Sequence, residues 1–220
     1  MTHIRITNAH PKHALAIHQL IRWWSSDMDE DNDDEKGILP ARSIARQIRR
    51  FPEGQFVVLD GEVVIGFAIT MRTNQHPEGP AKSWLEAIGN TGLGNHDSGG
   101  EWLYGVEFFI HPDYRKLGIG SQMYRVRFEL IERLNLRGFF AGGMLMGYKK
   151  YHPHMDIHEY AYKVMTGEIY DPTVSMQMNR GFRAVQLIEN YTPDLPPFNH
   201  AMLIVWDNPH YKPLMVEVAA

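Results

Sequence analysis

The sequence predicts a mixed α/β fold, with one mostly antiparallel central sheet and flanking helices, on three observations. Apolar residues recur at helical spacing in some runs and crowd into short β-rich stretches in others, so the two element types alternate along the chain. Asp60-Gly61 separates two β-rich runs, a strong signal for an antiparallel hairpin. Hydrophobic residues make up 44% and charged residues 22% of 220 positions, enough apolar material for one globular domain and too much for a disordered or fibrous chain.

Ile4-Arg5-Ile6 reads as the first strand. Pro11 opens a helix that places Ala14, Ile17, Leu20, Ile21 and Trp24 on one face. Seven acidic residues crowd positions 27–35, a solvated loop. Pro40 starts a second helix, with Ile44, Ile48 and Phe51 inward and Arg42, Arg46, Arg49 and Arg50 outward, and Pro52-Glu53-Gly54 breaks it. Residues 55–59 and 63–71 are the hairpin strands. Positions 73–100, rich in Gly, Pro, Asn and His, read mostly as loop with a short helix around 82–88. A loop of that length in a compact domain is usually functional.

Residues 101–110 form the next strand, closed by a turn at His111-Pro112-Asp113. A helix over 121–136 turns Met123, Val126, Leu130 and Leu134 inward, Arg137-Gly138 ends it, and 139–144 is a strand of small residues. An aromatic, histidine-containing insertion follows at 147–172, helical over 157–165. A short helix at 173–179 stops at Gly181, and strands at 182–190 and 201–206 complete a single domain spanning 1–220.

A formal net charge of -4 argues against nucleic acid as a partner, because neutralising phosphates requires a basic face. The absence of cysteine removes disulfides, thiolate metal sites and a cysteine nucleophile. Residues 1–6 lack the apolar core of a signal peptide, and no run reaches membrane-spanning length, so a cytoplasmic protein without a membrane partner is expected.

The chemistry concentrates in Arg115-Lys116-Leu117-Gly118-Ile119-Gly120, a loop between a strand and an amphipathic helix. Its glycines let backbone amides approach a ligand, and the helix starting near Ser121 adds unpaired N–H groups and a positive dipole end, a good seat for pyrophosphate. The spacing fits neither a P-loop nor a dinucleotide fingerprint, and a plain tight turn is the bland alternative.

The stretch 106–120, Val-Glu-Phe-Phe-Ile-His-Pro-Asp-Tyr-Arg-Lys-Leu-Gly-Ile-Gly, resembles the core motif of the Gcn5-related N-acetyltransferase family. The likeness extends to the Asp60-Gly61 hairpin before it and to Asn179-Arg180-Gly181-Phe182 after it. Phe51-Pro52-Glu53-Gly54-Gln55-Phe56, Leu103-Tyr104-Gly105-Val106-Glu107, Ala141-Gly142-Gly143 and Gly147-Tyr148 resemble the subgroup fused to nitrilase-like carbon–nitrogen hydrolase domains. The resemblance implies a GNAT-like acyl-CoA N-acyltransferase fold that uses acetyl-CoA as co-substrate, needs no metal, and acetylates a primary amine of a small molecule or peptide. It implies that amides of Phe109, Ile110 and His111 hold the pantetheine arm and those from Lys116 to Ser121 the pyrophosphate, with Arg115 at the rim. It also implies that 73–100 and 147–172 lie on the acceptor side, and that final strands can pair in a homodimer.

Glu107, a carboxylate in an apolar strand, is the candidate general base, with Tyr104 and Glu101 as alternatives because a bulge would change which face each occupies. The bland reading of Glu107 is an outward or paired strand residue. Where the family often has a tyrosine that protonates the thiolate stands Gln177, so that role is empty or moved, with Tyr148, Tyr151, Tyr170 and Ser175 as candidates. His152, His154 and His158 lack the order of a zinc motif and read as pocket or surface residues. Trp23 and Trp24 read as core and groove wall.

Overall fold

The structure, a computed structural model, describes residues 4–28, 39–192 and 199–213. Among the described residues, seven strands form one sheet in the order β1-β2-β3-β4-β5-β7-β6. They are β1 (Ile4–Asn8), β2 (Phe56–Asp60), β3 (Val63–Thr73), β4 (Trp102–Ile110), β5 (Gly138–Met144), β6 (Arg183–Ile188) and β7 (Ala201–Asp207). Every neighbouring pair is antiparallel except β4 with β5. The expected hairpin forms one residue along from the sequence reading. Asp60 is still paired with Val63, so Gly61 and Glu62 make the loop, and Gly61 supplies the positive φ of 59° that the turn needs.

The helices are α1 (Ala14–Met28), α2 (Ala41–Arg50), α3 (Trp84–Ile88), α4 (Ile119–Arg133), α5 (Ile157–Met165) and α6 (Val174–Met178). The two-residue period of the strands sorts the core onto two faces of the sheet. One face packs Ile17 and Leu20 of α1 and Ile44 and Ile48 of α2 over Val57, Phe67, Ile69 and Tyr104. The other packs Met123, Leu130 and Ile131 of α4 over Val58, Leu103, Phe139 and Ile204. The backbone of positions 27 and 28 ends α1, whereas 29–35 of the acidic run and the side chain of Trp24 lie outside the described residues. Trp23 is exposed and stacks on His111 with centroids 4.4 Å apart, a wall rather than a core residue.

The segments 73–100 and 147–172 lie on opposite faces. In the first, Ser83 and Glu86 cap α3 reciprocally, and Ala87, Ile88 and Leu93 join the α1–α2 core. In the second, Tyr148, Ile157 and Tyr160 join the α4 core. Its ends are tied by buried Asp171, whose carboxylate accepts hydrogen bonds from Gly147 N, Tyr160 Oη, Thr173 N and Val174 N at 2.8–2.9 Å. The two segments expected beside the acceptor therefore pack on different faces, 73–100 with α1 and α2 and 147–172, through the apolar stripe of α5, with α4.

Candidate active site

β4 pairs with β3 along its length but with β5 only from Trp102 to Gly105. Beyond Ala141, β5 continues with β7 alone. Residues 106–110 thus present a strand edge without a strand partner among the described residues, and their polar groups need partners from elsewhere. The His111 amide already donates to Ile65 O at 2.8 Å. Alternation in an antiparallel pair then turns Phe109 toward β3 as well, and Phe108 and Ile110 toward the gap. Of the amides expected to hold a pantetheine arm, those of Phe109 and His111 thus turn to β3, while Ile110 and, beside it, Phe108 turn theirs to the gap.

The glycine loop begins after the single turn Pro112–Tyr114. Lys116 and Gly118 both adopt positive φ, 63° and 79°, and α4 starts at Ile119, inside the glycine loop rather than after it. The first helical bond is Gln122 N to Gly118 O, so the amides of Ile119, Gly120 and Ser121 lack intrahelical acceptors. No backbone acceptor engages the amides of 116–121 among the described residues. A Cβ on Gly118 or Gly120 would meet nothing within 4 Å, so the space above them is open to a ligand. Leu117 is exposed. Arg115 donates from Nε to Ile110 O at 3.1 Å, closing the end of the open strand. Beside the loop lies a pocket of about 440 Å³ lined by Ser121, Tyr124, Arg125, Phe128, Asn179 and Arg180, with Arg180 Nη2 donating to Ser121 Oγ at 2.9 Å. Unpaired amides, a helix N-terminus and this pocket suit an extended anion such as the coenzyme's phosphates.

On the α1–α2 face, a bulge settles the orientation that the sequence left open. Ile69 faces Glu107 while Thr70 faces Gly105, which leaves Val106 as the extra residue. Tyr104 and Glu107, three positions apart, consequently share one face, which strict alternation forbids. Glu107 Oε2 is buried with no hydrogen-bond partner, and burial raises the carboxyl from 4.5 to about 7. The Tyr104 hydroxyl lies 2.9 Å from that of Tyr191. The Tyr191 ring occupies the space of the missing Gly142 side chain, since a Cβ there would lie 2.3 Å from it. Burial pushes Tyr191 up to about 12 and Tyr104 well above its ordinary value, so both phenols stay protonated at neutral pH. Trp84 ties α3 over this cluster by donating Nε1 to Val106 O and its amide to Tyr191 O. A narrow pocket of about 100 Å³ lined by Gln75, His76, Lys82, Tyr104 and Ile188 opens beside it. Glu101, the alternative base, is at the surface and pairs with Arg137 at 2.9 Å.

On the α4 face, Gln177 donates from Nε2 to Tyr124 Oη at 3.0 Å, while its Oε1 has no partner. Arg127 is completely buried and its Nη2 has no partner. The Arg127 guanidinium lies 4.2 Å from the Tyr124 ring centroid, 4.7 Å from Phe108 and 5.2 Å from Phe139. Of the insertion's candidate acids, Tyr148 donates to Met155 O, Tyr151 packs against Tyr160 and Tyr170 is exposed. Ser175 Oγ accepts from Asp171 N. His158 lies 3.5 Å from Glu189, and no group of three or more His, Cys, Asp or Glu residues is arranged around a metal position among the described residues.

Tyr191, Tyr124, Arg127 and Arg180 were not found by sequence reasoning. Arg127 had a signal: it falls on the helical stripe of Met123, Leu130 and Leu134. Tyr191 had none, because a short turn carries it across the sheet.

The model of the acetyltransferase (GNAT) family matches residues 17–142. "Probable hydrolase YhcX" of Bacillus subtilis is 32% identical over 85% of this chain, which spans only 38% of that relative's length. "Uncharacterized N-acetyltransferase YkwB" of the same organism is 31% identical over 77% of this chain and 75% of the relative. Among solved structures, a "GphF GNAT-like decarboxylase in complex with isobutyryl-CoA" shares the fold at a TM-score of 0.74, with 16% identity over 93% of this chain and 99% of that one. The match covers the strand that parts from its neighbour and the loop that follows it, and the chain belongs to the acetyltransferase (GNAT) family.

Proposed function

We propose that this protein transfers an acetyl group from acetyl-CoA to a primary amine of a small molecule or peptide, by direct attack within a ternary complex. The observation that carries this reading is Glu107, a half-buried residue whose Oε2 is enclosed without a hydrogen-bond partner and whose carboxyl burial raises to about 7, where β4 and β5 part. A group of that kind can take a proton at pH 7 and release it again. The open amides at 116–121 support pyrophosphate binding at one end of the gap, and Ile110 and Phe108 support pantetheine binding along it.

The acceptor enters as an ammonium from the side of 73–100, and Glu107 removes its proton. The amine nitrogen then bonds to the thioester carbon, and a backbone amide at the gap stabilises the oxyanion. The carbon–sulfur bond breaks and the thiolate takes up a proton. An association with a hydrolase domain is in keeping with the first relative, which is named a probable hydrolase and of which the segment like this chain makes up 38%. A homodimer through β6 is supported by its position at the edge of the sheet.

A thiol-release screen with acetyl-CoA against amines, amino acids and aminoglycosides tests the reading. Turnover with at least one amine, lost in Glu107→Gln, is the expected result. Binding without turnover across the panel would make the protein a coenzyme sensor instead. Failure of acetyl-CoA to bind or to protect against heat would refute the proposal altogether.

A further inference from the structure

We propose that Tyr124 donates the proton to the departing thiolate, doing from α4 what Gln177 cannot do from α6; this rests on the transferase reading above. Gln177 is not an isolated substitution. Its Oε1 lies 2.5 Å from where a Cβ of Gly143 would stand, on the part of β5 that has left β4. Its Nε2 donates to the Tyr124 phenol at 3.0 Å. The phenol is therefore presented beside the position where the family's tyrosine is often found.

Tyr124 also reaches the other arm of the gap. Its ring packs against Phe108 of the open segment of β4, with centroids 5.6 Å apart. It lines the 440 Å³ pocket next to Ser121, whose amide belongs to the open helix N-terminus. One side chain thus touches the pocket, one arm of the gap and, through Gln177, the other arm. With Gln177 as the donor, the phenol oxygen accepts, and its own proton has no acceptor among the described residues. The charged groups facing it are Arg127 on α4 and Arg180 after α6, with guanidinium carbons 4.2 and 5.4 Å from the ring centroid. Neither has a carboxylate partner among the described residues.

The step balances. The carbon–sulfur bond breaks with its electron pair going to sulfur, the sulfur takes the phenolic proton, and solvent reprotonates the phenolate once the coenzyme has left the pocket. Arg127 is a positioning residue here, holding the ring.

The test compares wild type, Tyr124→Phe, Gln177→Tyr and the double variant, measuring kcat, KM and acetyl-CoA Kd. Tyr124→Phe is expected to lower kcat roughly 10- to 100-fold while leaving Kd within about threefold. Adding Gln177→Tyr is expected to restore most of the rate, because it returns a phenol to the other helix. A second probe, 2,3-difluorotyrosine at position 124, preserves shape and is expected to move the alkaline limb of kcat to lower pH. Full activity of Tyr124→Phe, or an alkaline limb that ignores fluorination, would overturn the assignment and leave the transferase reading intact. Absence of thiol release by the wild type with every amine would overturn both.

Discussion

The two edges of β4 have different fates: one is sealed by β3 along eight of its nine residues, and the other is released by β5 after four. The same residues form both edges, so side-chain preference along β4 does not account for the difference. What differs is the neighbour. β5 carries Ala141-Gly142-Gly143 where it leaves, and those small residues admit the Tyr191 ring on one face and the Gln177 amide on the other. The released edge is therefore flanked by phenols and amides rather than by a strand. It gathers two opposed sets of groups, Glu107 with Tyr104 and Tyr191, and Tyr124 with Gln177 and Arg127.

If that asymmetry underlies catalysis, the largest effect should come from Glu107. Glu107→Gln is expected to lower kcat roughly 1,000-fold, within the range of general acid–base contributions, and to remove an acidic limb near pH 7. The same group sets a slope in stability. Its folded pKa of about 7 lies above the ordinary glutamate value of 4.5, so the native state holds this proton more tightly than the unfolded state. Stability should then fall as pH rises from 4.5 to 7, by up to about 3 kcal/mol, and thermal melts of Glu107→Gln should lack that component. A matching slope in the variant would show that the carboxylate is not buried as described.

Next comes the glycine loop that follows the released edge. Gly120→Glu places an anion over the open amides, and should weaken acetyl-CoA binding by calorimetry roughly 100-fold or more. The fold should be unharmed, because the new Cβ meets open space and glycine is a poor helix former. Arg127→Met should separate stability from function. Removing a buried cation with no acid beside it is expected to stabilise the fold by about 1–2 kcal/mol while lowering kcat by roughly tenfold. A loss of both together would make Arg127 a purely structural residue. The smallest effect belongs to Glu101→Gln, where kcat should change by less than about twofold, because that carboxylate is exposed and already paired.

The same contrast separates what the sequence revealed from what it hid. Backbone features came through. The hairpin glycine, the loop glycines and the capped helices are local, and each constrains φ or leaves amides open within a few residues. Face assignments came through less well. The three-residue step from Tyr104 to Glu107 depends on one extra residue at Val106, and a bulge leaves no compositional mark. The expected amide of His111 failed for a related reason: parity along β4 is set by its pairing with β3, which a single strand does not display. The insertion at 147–172 was correctly read as aromatic and helical, but Asp171 and the apolar stripe of α5 decide its face. Tyr191 and Tyr124 reach the gap through tertiary packing alone.

Backbone amide hydrogen exchange with and without acetyl-CoA tests the central claim most directly, namely that the open edge of β4 and the loop after it receive the coenzyme. The account predicts slowed exchange at Phe108, Ile110 and residues 116–121, with little change at Phe109 and His111, which face β3, or in β1 and β2. Equal protection on both edges of β4, or no protection at saturating acetyl-CoA, would contradict it.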